Sequence, residues 1–265
     1  MVTIAHISDP HLGSPYFVPN LMNRVIVELN ELAPDAVVVS GDLTTEGFRP
    51  EYKAWLAYAD RIDAPLLTVP GNHDSRNVGY VHFEDLIGQR MWSTDVGGVR
   101  IVGVDSSEPD LNEGKVGRVH YPWIKQEFRA ASTLNIFVLH HHLLPIPGTG
   151  RERNIVLDAG DLLFTLADLD VDLVLSGHKH VPFFWGVNGM LICNSGTAGT
   201  RRVRAGSPPS WNEVHIDAAT MKVFTHYLDG RRELSVIFSR KTRALTREAF
   251  YMTDDFRRSN QVLAD

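Results

Sequence analysis

Cysteine is nearly absent from this 265-residue chain, which contains only Cys193. A single cysteine cannot form a disulfide within the chain, so a disulfide-stapled secreted scaffold is excluded. The chain also lacks an apolar run of about 20 residues, the length that a membrane-spanning helix needs. No basic segment leads into an apolar stretch as in a secretory signal. We therefore predict a cytoplasmic protein without a membrane anchor or targeting segment.

An excess of positive charge is missing as well. The chain has 26 basic and 32 acidic residues, a net charge of -6. Proteins that bind nucleic acid non-specifically usually carry a basic field, and no extended basic and aromatic channel is visible here. Nucleic acid is therefore not an expected partner. The composition, 43% hydrophobic and 22% charged, excludes a disordered, collagen-like or coiled-coil chain.

Short apolar segments alternate with amphipathic ones along the chain. Residues 4–8, 36–39 and 66–69 are predicted strands, separated by helical patterns at 18–32 and 51–61. Such a βαβαβ beginning is typical of a parallel, buried sheet. Hairpin patterns and mostly strand-like segments follow. We predict an α/β fold in which two mixed β-sheets pack as a sandwich with flanking helices.

The domain organisation follows from the absence of internal repeats and linkers. Residues 1–240 are predicted to form a single domain. Residues 241–265 are charged and are interpreted as a C-terminal tail that is helical or forms an interface. Association of the β-rich end into a homo-oligomer is a further expectation.

Five polar clusters each follow the end of a predicted strand. They are Ser8-Asp9-Pro10-His11, Ser40-Gly41-Asp42, Gly71-Asn72-His73-Asp74, His140-His141-His142 and Ser176-Gly177-His178-Lys179-His180. One such cluster alone is ordinarily a turn or a helix cap. Five in succession, all built from Asp, Asn and His, indicate metal ligands at the edge where α/β sheets bind their ligands.

The spacing of the polar residues supports a metal centre. Asp9 and His11 are two residues apart, so on an extended segment they project to one side, and His178 and His180 repeat this arrangement. The carbonyl oxygen of Asn72 suits an oxygen-rich site. With Asp42 and one histidine of the 140–142 cluster, seven candidate ligands result. Seven are too many for one tetrahedral ion and suit two ions that share Asp42.

The motifs SDPHLG, SGDLTTEG, PGNHD, VLHHH and SGHKH, in this order, resemble those of the calcineurin-like metallophosphoesterase superfamily. In detail they are most similar to bacterial class III cyclic nucleotide phosphodiesterases and glycerophosphodiesterases. They span Asp9 to His180, about two thirds of the chain. The resemblance implies the metallophosphoesterase fold. It also implies that Asp9, His11 and His180 hold one metal ion, that Asn72, His140 and His178 hold a second, and that Asp42 bridges them.

The same resemblance implies a chemistry. The cofactors would be two divalent ions, Mn, Fe or Zn, and a hydroxide bridging them would attack phosphorus. His73 would face the phosphate as the catalytic residue. His141 remains an alternative ligand to His140, because many relatives have proline where this chain has the third histidine, His142. Purple acid phosphatases place a tyrosine ligand three residues after the bridging aspartate; Thr45 stands there, so an iron–tyrosinate site is not expected.

The function implied is hydrolysis of a small phosphodiester, with a 3′,5′-cyclic nucleotide as one candidate. A phosphomonoesterase acting on a nucleotide, sugar phosphate or phosphoprotein is the alternative within the same chemistry. A non-catalytic interaction module is the alternative of another class. No substrate-binding residue is assigned: Arg201, Arg202 and Arg204 are most simply interpreted as a solvated surface cluster or interface, with contact to a substrate phosphate as the alternative.

Overall fold

A computed structural model describes residues 1–128, 134–150 and 155–248. It contains a seven-stranded sheet and a six-stranded sheet, with helices on their outer faces. The strands are β1 (Val2–Ile7), β2 (Ala36–Val39), β3 (Leu66–Thr68), β4 (Trp92–Val96), β5 (Val99–Gly103), β6 (Leu134–Val138), β7 (Leu173–Ser176), β8 (Phe183–Val187), β9 (Met190–Asn194), β10 (Ser210–Ile216), β11 (Thr220–Tyr227), β12 (Arg232–Ser239) and β13 (Ala244–Glu248). The helices are α1 (Pro19–Leu32), α2 (Arg49–Ala59), α3 (Gly79–Leu86), α4 (Tyr121–Glu127) and α5 (Ala159–Asp168), with a short 3₁₀ turn at Arg76–Val78.

Both sheets are mixed, as predicted. The first has the strand order β13-β12-β11-β10-β1-β2-β3, in which β1, β2 and β3 are parallel and the others pair antiparallel. The second has the order β4-β5-β6-β7-β9-β8, in which β5, β6, β7 and β9 are parallel. The predicted fold class is therefore confirmed.

The main apolar core lies between the two sheets. Ile4 and Val38 of the first sheet belong to one buried cluster with Val138 and Leu175 of the second. A second cluster joins the first sheet to α1–α3, and a third joins the second sheet to α4 and α5. Strands such as β2 and β7 are thus buried on both faces. That is why they read as unbroken apolar runs whose polar residues come only after the strand ends.

Two elements differ from the sequence prediction. Helix α3 was not predicted, because its eight residues bury only Gly79 and Phe83 and no side chain caps its N-terminus. Residues 244–248, in the predicted tail, are strand β13, which pairs with β12 and extends the first sheet. The expectation of a helical or interface-forming tail otherwise concerns residues 249–265, which lie outside the described residues. In the described part of the chain, no helix is both long and apolar enough to cross a membrane.

Candidate metal centre

The five polar clusters meet at one edge of the sandwich, beyond the carboxyl ends of five strands. Strand β1 leads to Asp9 and His11, β2 to Asp42, β3 to Asn72 and His73, β6 to His140, and β7 to His178 and His180. None of these eight residues is more than 8% exposed. The order of strands therefore brings together residues that lie far apart in sequence, such as His11 and His180.

The backbone at this edge is unusual. Positive φ angles occur at five of the candidate ligands: Asp9 (53°), His11 (51°), Asp42 (54°), His178 (72°) and His180 (58°). Non-glycine residues adopt this conformation rarely, and such strain is concentrated at functional sites. Glycine is required next to them, since a Cβ on Gly71 would lie 2.2 Å from Oδ1 of Asp42. The strands thus end in sharp turns that direct the polar side chains toward one another.

Asp9, His11 and His180 form the first group of potential ligand atoms. Nε2 of His180 lies 3.2 Å from Oδ1 of Asp9 and 3.0 Å from Nε2 of His11. The other carboxylate oxygen of Asp9, Oδ2, accepts a hydrogen bond of 3.0 Å from the backbone N–H of His178. The orientation of Asp9 is therefore held by the backbone that also carries the second histidine pair.

Asn72, His140 and His178 form the second group. Oδ1 of Asn72 lies 3.0 Å from Nδ1 of His178 and 3.2 Å from Nε2 of His140. Asp42 lies between the two groups. Its Oδ2 is 3.6 Å from Nε2 of His11 and 3.3 Å from Nε2 of His140.

The donor chemistry of these residues fits metal ions. Nδ1 of His140 lies 2.7 Å from the carbonyl oxygen of Ser40, and Nδ1 of His180 contacts the carbonyl oxygen of Arg202. A carbonyl oxygen only accepts, so each Nδ1 carries the hydrogen, and in a neutral ring Nε2 presents its lone pair to the site. Among the described residues, Oδ1 of Asp9 is buried without a hydrogen-bond partner, and it faces Nε2 of His180. A cation satisfies such an excess of lone pairs, and mixed oxygen and imidazole donors suit Mn²⁺, Fe²⁺ or Zn²⁺.

The electrostatics of the site keep Asp42 ionised and His11 neutral, whereas without a metal ion they favour a protonated His140. Burial disfavours the ionised carboxylate of Asp42, but His140 and His73 outweigh it and hold the pKa of Asp42 well below its usual range. Burial lowers the pKa of His11 to about 3, which keeps that ring neutral. Burial also disfavours a charged His140, but the carboxylate of Asp42 outweighs it and raises the pKa of His140 to about 9. A cation beside Asp42 would take the place of that proton.

His140 and His141 have different surroundings. The ring of His141 uses both nitrogens outside the two groups: Nδ1 lies 2.9 Å from Oγ of Ser106 and Nε2 lies 3.3 Å from the carbonyl oxygen of Asn112. A ring nitrogen of His141 nevertheless lies within 4.8 Å of ring nitrogens of His140 and His178.

His73 lies at the side of the first group. Its backbone N–H donates a 2.9 Å hydrogen bond to Oδ1 of Asp42, and its Nδ1 lies 2.6 Å from the carbonyl oxygen of Thr45. Its ring meets that of His11 edge-on, with centroids 4.7 Å apart. One of its ring nitrogens lies within 4.8 Å of ligand atoms of His11 and Asp42.

Asp74 connects the loops that carry the candidate ligands. Its carboxylate accepts hydrogen bonds from the backbone N–H groups of Leu43 (3.1 Å), Thr44 (2.9 Å) and Gly71 (2.9 Å). The hydroxyl of Thr44 donates a further one of 2.8 Å. Asp74 therefore holds the loop after β2 against the loop after β3 and does not point into either group.

A cavity of about 190 Å³ opens onto the site. Its walls combine Asp42, Asn72, His73, His178 and His180 with four further residues: Arg76, Asn112, Arg202 and Arg204. Sequence reasoning missed Arg76 and Asn112, which lie in no recognisable motif. Of the arginine cluster that was interpreted as a solvated surface or an interface, Arg204 is half-buried in this wall, and Arg202 is exposed but lines the same cavity.

Several proteins that are similar to this chain are named as phosphodiesterases. The chain is 30% identical over 196 residues to the glycerophosphodiester phosphodiesterase GpdQ of Enterobacter lignolyticus, covering 67% of this chain and 70% of that protein. It is 28% identical to a cAMP/cGMP dual specificity phosphodiesterase of Mycobacterium tuberculosis, covering 67% and 61%. It is also 28% identical to a protein of Synechococcus sp. named "Probable cyclic nucleotide phosphodiesterase", covering 61% and 64%. The chain thus spans less than two thirds of the length of the last two relatives.

Solved structures share the fold at low identity. A purple acid phosphatase from yellow lupin superposes with a TM-score of 0.70 at 16% identity, covering 88% of this chain and 52% of that one. A dimetal phosphatase from Danio rerio superposes with a TM-score of 0.61 at 14% identity, covering 86% and 96%. At these identities the likeness concerns the fold alone. The sequence profile of the family described as calcineurin-like phosphoesterase matches residues 2–182, more than half of the chain, a range that includes all eight candidate residues. The chain therefore belongs to the calcineurin-like phosphoesterase family.

Proposed function

We propose that the protein is a metal-dependent phosphoric ester hydrolase with a binuclear centre that acts on small phosphodiesters. The observation that carries this proposal is the position of Asp42, whose Oδ2 lies 3.6 Å from Nε2 of His11 and 3.3 Å from Nε2 of His140. One carboxylate oxygen between two groups of lone-pair donors is suited to bridging two cations.

The ligand sets follow the two groups. Asp9, His11 and His180 hold one ion, and Asn72, His140 and His178 hold the other. The ions are Mn, Fe or Zn, because these accept both oxygen and imidazole donors. The hydrogen bonds of both His141 ring nitrogens support His140 as the ligand. When bound, two such cations supply an activated water and neutralise charge on the phosphoryl group.

His73 is the proposed catalytic residue. It lines the cavity, and its Nδ1 is engaged by Thr45. Nε2 is therefore the ring atom that can hydrogen-bond to a phosphate oxygen or protonate the leaving oxygen. General acid catalysis of this kind contributes about 10²–10⁴-fold in rate.

The preference for diesters, with a 3′,5′-cyclic nucleotide as one candidate, is supported by the names of the relatives from Enterobacter and Mycobacterium. A phosphomonoesterase is the alternative, because the same pair of metal ions can serve the hydrolysis of diesters and of monoesters. A non-catalytic module would be expected to have lost ligands or His73, and all eight positions are filled. Residence in the cytoplasm and assembly into a homo-oligomer stay predictions from the sequence.

A rate assay on Mn²⁺-reconstituted protein tests the proposal. Bis(4-nitrophenyl) phosphate, 4-nitrophenyl phosphate and cyclic AMP are compared, with a chelator as the blank. We expect turnover that the chelator abolishes, faster for the diesters. Asp42→Asn should lose both metal and activity, whereas the exposed Asp60→Asn, the same chemical change on α2's C-terminal side, should keep both. Fully metallated and active Asp42→Asn protein would contradict the bridging role. Faster monoester turnover would favour the phosphatase alternative.

A further inference from the structure

Two arginines beside the candidate ligands make no hydrogen bond or ion pair through their guanidinium groups in the part of the chain that the structure describes. They are Arg202 and Arg204, which both line the cavity. Arg76 in the same cavity is different. It donates to Oε1 of Glu46 (3.2 Å) and to Oδ1 of Asn112 (2.9 Å), so its charge is balanced and its position is held.

The loop that carries the two arginines is anchored on both sides. The carbonyl oxygen of Arg202 accepts a hydrogen bond from Nδ1 of His180, and its backbone N–H donates to Oγ1 of Thr200 over 3.0 Å. After Arg204, Ala205 turns with a φ of 50° and packs against a small apolar cluster that includes Val181 and Phe183. A hydrogen bond and apolar packing thus hold the loop of the two arginines against the segment that carries His180.

On balance, the surroundings of Arg204 disfavour its positive charge. Arg204 is half-buried, and burial together with the like charge of Arg202 lowers the pKa of Arg204, although the carboxylates of Asp9 and Asp42 oppose this. A charge that is removed from water loses hydration, and a paired counter-ion compensates for that loss. A guanidinium presents a planar fork of N–H donors that matches a phosphate or carboxylate in bidentate fashion. An anion from the substrate would supply the missing partner.

We propose that Arg202 and Arg204 form an anion subsite that binds negative charge on the substrate beyond the single charge of a simple diester. This inference rests on the proposed function. The substrate class is a phosphoester with additional anionic charge next to the scissile phosphorus. That charge is either a carboxylate or phosphate on the alcohol of a diester, or the second charge of a phosphomonoester.

Matched substrates test the subsite on the Mn²⁺-loaded protein. They are 4-nitrophenyl 3-carboxypropyl phosphate, its uncharged methyl ester, and 4-nitrophenyl phosphate. Arg204→Met removes the charge and keeps much of the bulk, and Arg204→Lys keeps the charge. Arg201→Met is the control, because Arg201 is exposed and belongs to the same loop but does not line the cavity.

We expect Arg204→Met to lower kcat/KM for a charged substrate by about 10–100-fold, mainly through KM, because hydrogen bonds between charged groups are lost. Turnover of the methyl ester should stay within about twofold, as should all substrates with Arg201→Met. Arg204→Lys should recover part of the loss. A loss of kcat/KM for the carboxylate diester in Arg204→Met would show that the subsite binds an anion on the alcohol of the substrate. A loss for the monoester alone would show that the subsite binds the second charge of the phosphoryl group.

Equal losses on all substrates, or no loss on any, would overturn the subsite while leaving the proposed function intact. Absence of turnover by the wild-type protein would overturn the proposed function instead. In that case, calorimetric titration of the Mn²⁺-loaded protein with inorganic phosphate still tests the anion subsite. The subsite predicts binding weakened about tenfold or more by Arg204→Met and unchanged by Arg201→Met. Equal phosphate affinity of the two variants would overturn it.

Discussion

Nδ1 of His73 lies 2.6 Å from the carbonyl oxygen of Thr45. Because a carbonyl oxygen only accepts, Nδ1 must donate, and this bond sets both the tautomer and the orientation of the ring. Thr45 in turn contacts the loop after β1, since its hydroxyl donates a 3.2 Å hydrogen bond to the carbonyl oxygen of His11. The proposed catalytic histidine is therefore oriented by the loop after β2, although it follows β3.

This relationship makes His73→Asn an informative variant. The asparagine amide N–H can replace Nδ1 as the donor to Thr45, but nothing replaces Nε2. We expect metal content to stay at the wild-type value, as measured by mass spectrometry of bound metal, while kcat falls by about 10²-fold or more. Parallel loss of metal and activity would instead make His73 a metal ligand.

A second prediction concerns Asn112, which orients Asn72. Oδ1 of Asn112 accepts from Nη2 of Arg76 (2.9 Å) and from Nδ2 of Asn72 (3.3 Å). Because the arginine only donates, the atom of Asn112 that it contacts must be the acceptor Oδ1. The amide N–H of Asn72 donates to the same oxygen, and the oxygen of Asn72 therefore faces His140 and His178. Asn112→Ala should weaken binding of the second Mn²⁺ by about 10–100-fold in a titration followed by electron paramagnetic resonance. Asn112→Asp keeps an acceptor and should bind more tightly than Asn112→Ala; identical affinities in the wild-type protein and Asn112→Ala would contradict this positioning role.

A pair of glycine substitutions tests how closely the site loops are packed. A Cβ at Gly71 would meet the backbone N of Asp42 at 2.4 Å as well as its carboxylate, and neither atom can move freely. Gly71→Ala should lower the free energy of unfolding by about 1–3 kcal/mol and weaken metal binding. Gly160 is exposed on α5 with nothing within 4 Å of an added Cβ. Gly160→Ala should raise the free energy of unfolding by about 0.5–1 kcal/mol in urea titrations. Unimpaired metal binding by Gly71→Ala would contradict the close packing of the loops after β2 and β3.

The pH dependence of stability should reveal the contribution of Glu213, which lies on strand β10. Its carboxylate contacts His215, Nε2 of His226 (2.5 Å) and Nη2 of Arg232 (2.8 Å). Burial opposes its ionisation, but these hydrogen bonds outweigh it and hold the pKa of Glu213 well below its usual range. An unfolded glutamate takes up a proton near pH 4.3. The stabilisation is therefore present above about pH 4.3 and is lost as the pH falls toward the folded-state pKa.

Glu213→Gln should accordingly lower the free energy of unfolding by about 1–2 kcal/mol at pH 7. The difference from wild type should shrink below about pH 4.3, as followed by urea unfolding at several pH values. The control is Glu233→Gln on the same sheet, whose carboxylate is 43% exposed and paired with Arg231. Such a surface pair contributes about 0–1 kcal/mol. A pH-independent deficit in Glu213→Gln would contradict the prediction.

Much of the fold could be predicted because its strands are local patterns. Strand β2 is four consecutive buried apolar residues between polar turns, and that pattern is visible without the rest of the chain. Strand β13 could not be predicted in this way. It lies at the edge of the first sheet, next to β12, and a short segment with charged residues is typical both of a tail and of an edge strand.

The sequence by itself determined which donor types follow each strand and in what order, and this was enough for the family and for the eight candidate site residues. Only the tertiary structure decided what surrounds them. The contact of His141 with Asn112, and the places of Arg76, Arg202 and Arg204 in the cavity, depend on loops from different parts of the chain. The physical reason is that a strand and the turn after it are specified by neighbouring residues. The wall of a cavity is specified by how two sheets and their long loops pack, and no local pattern records that.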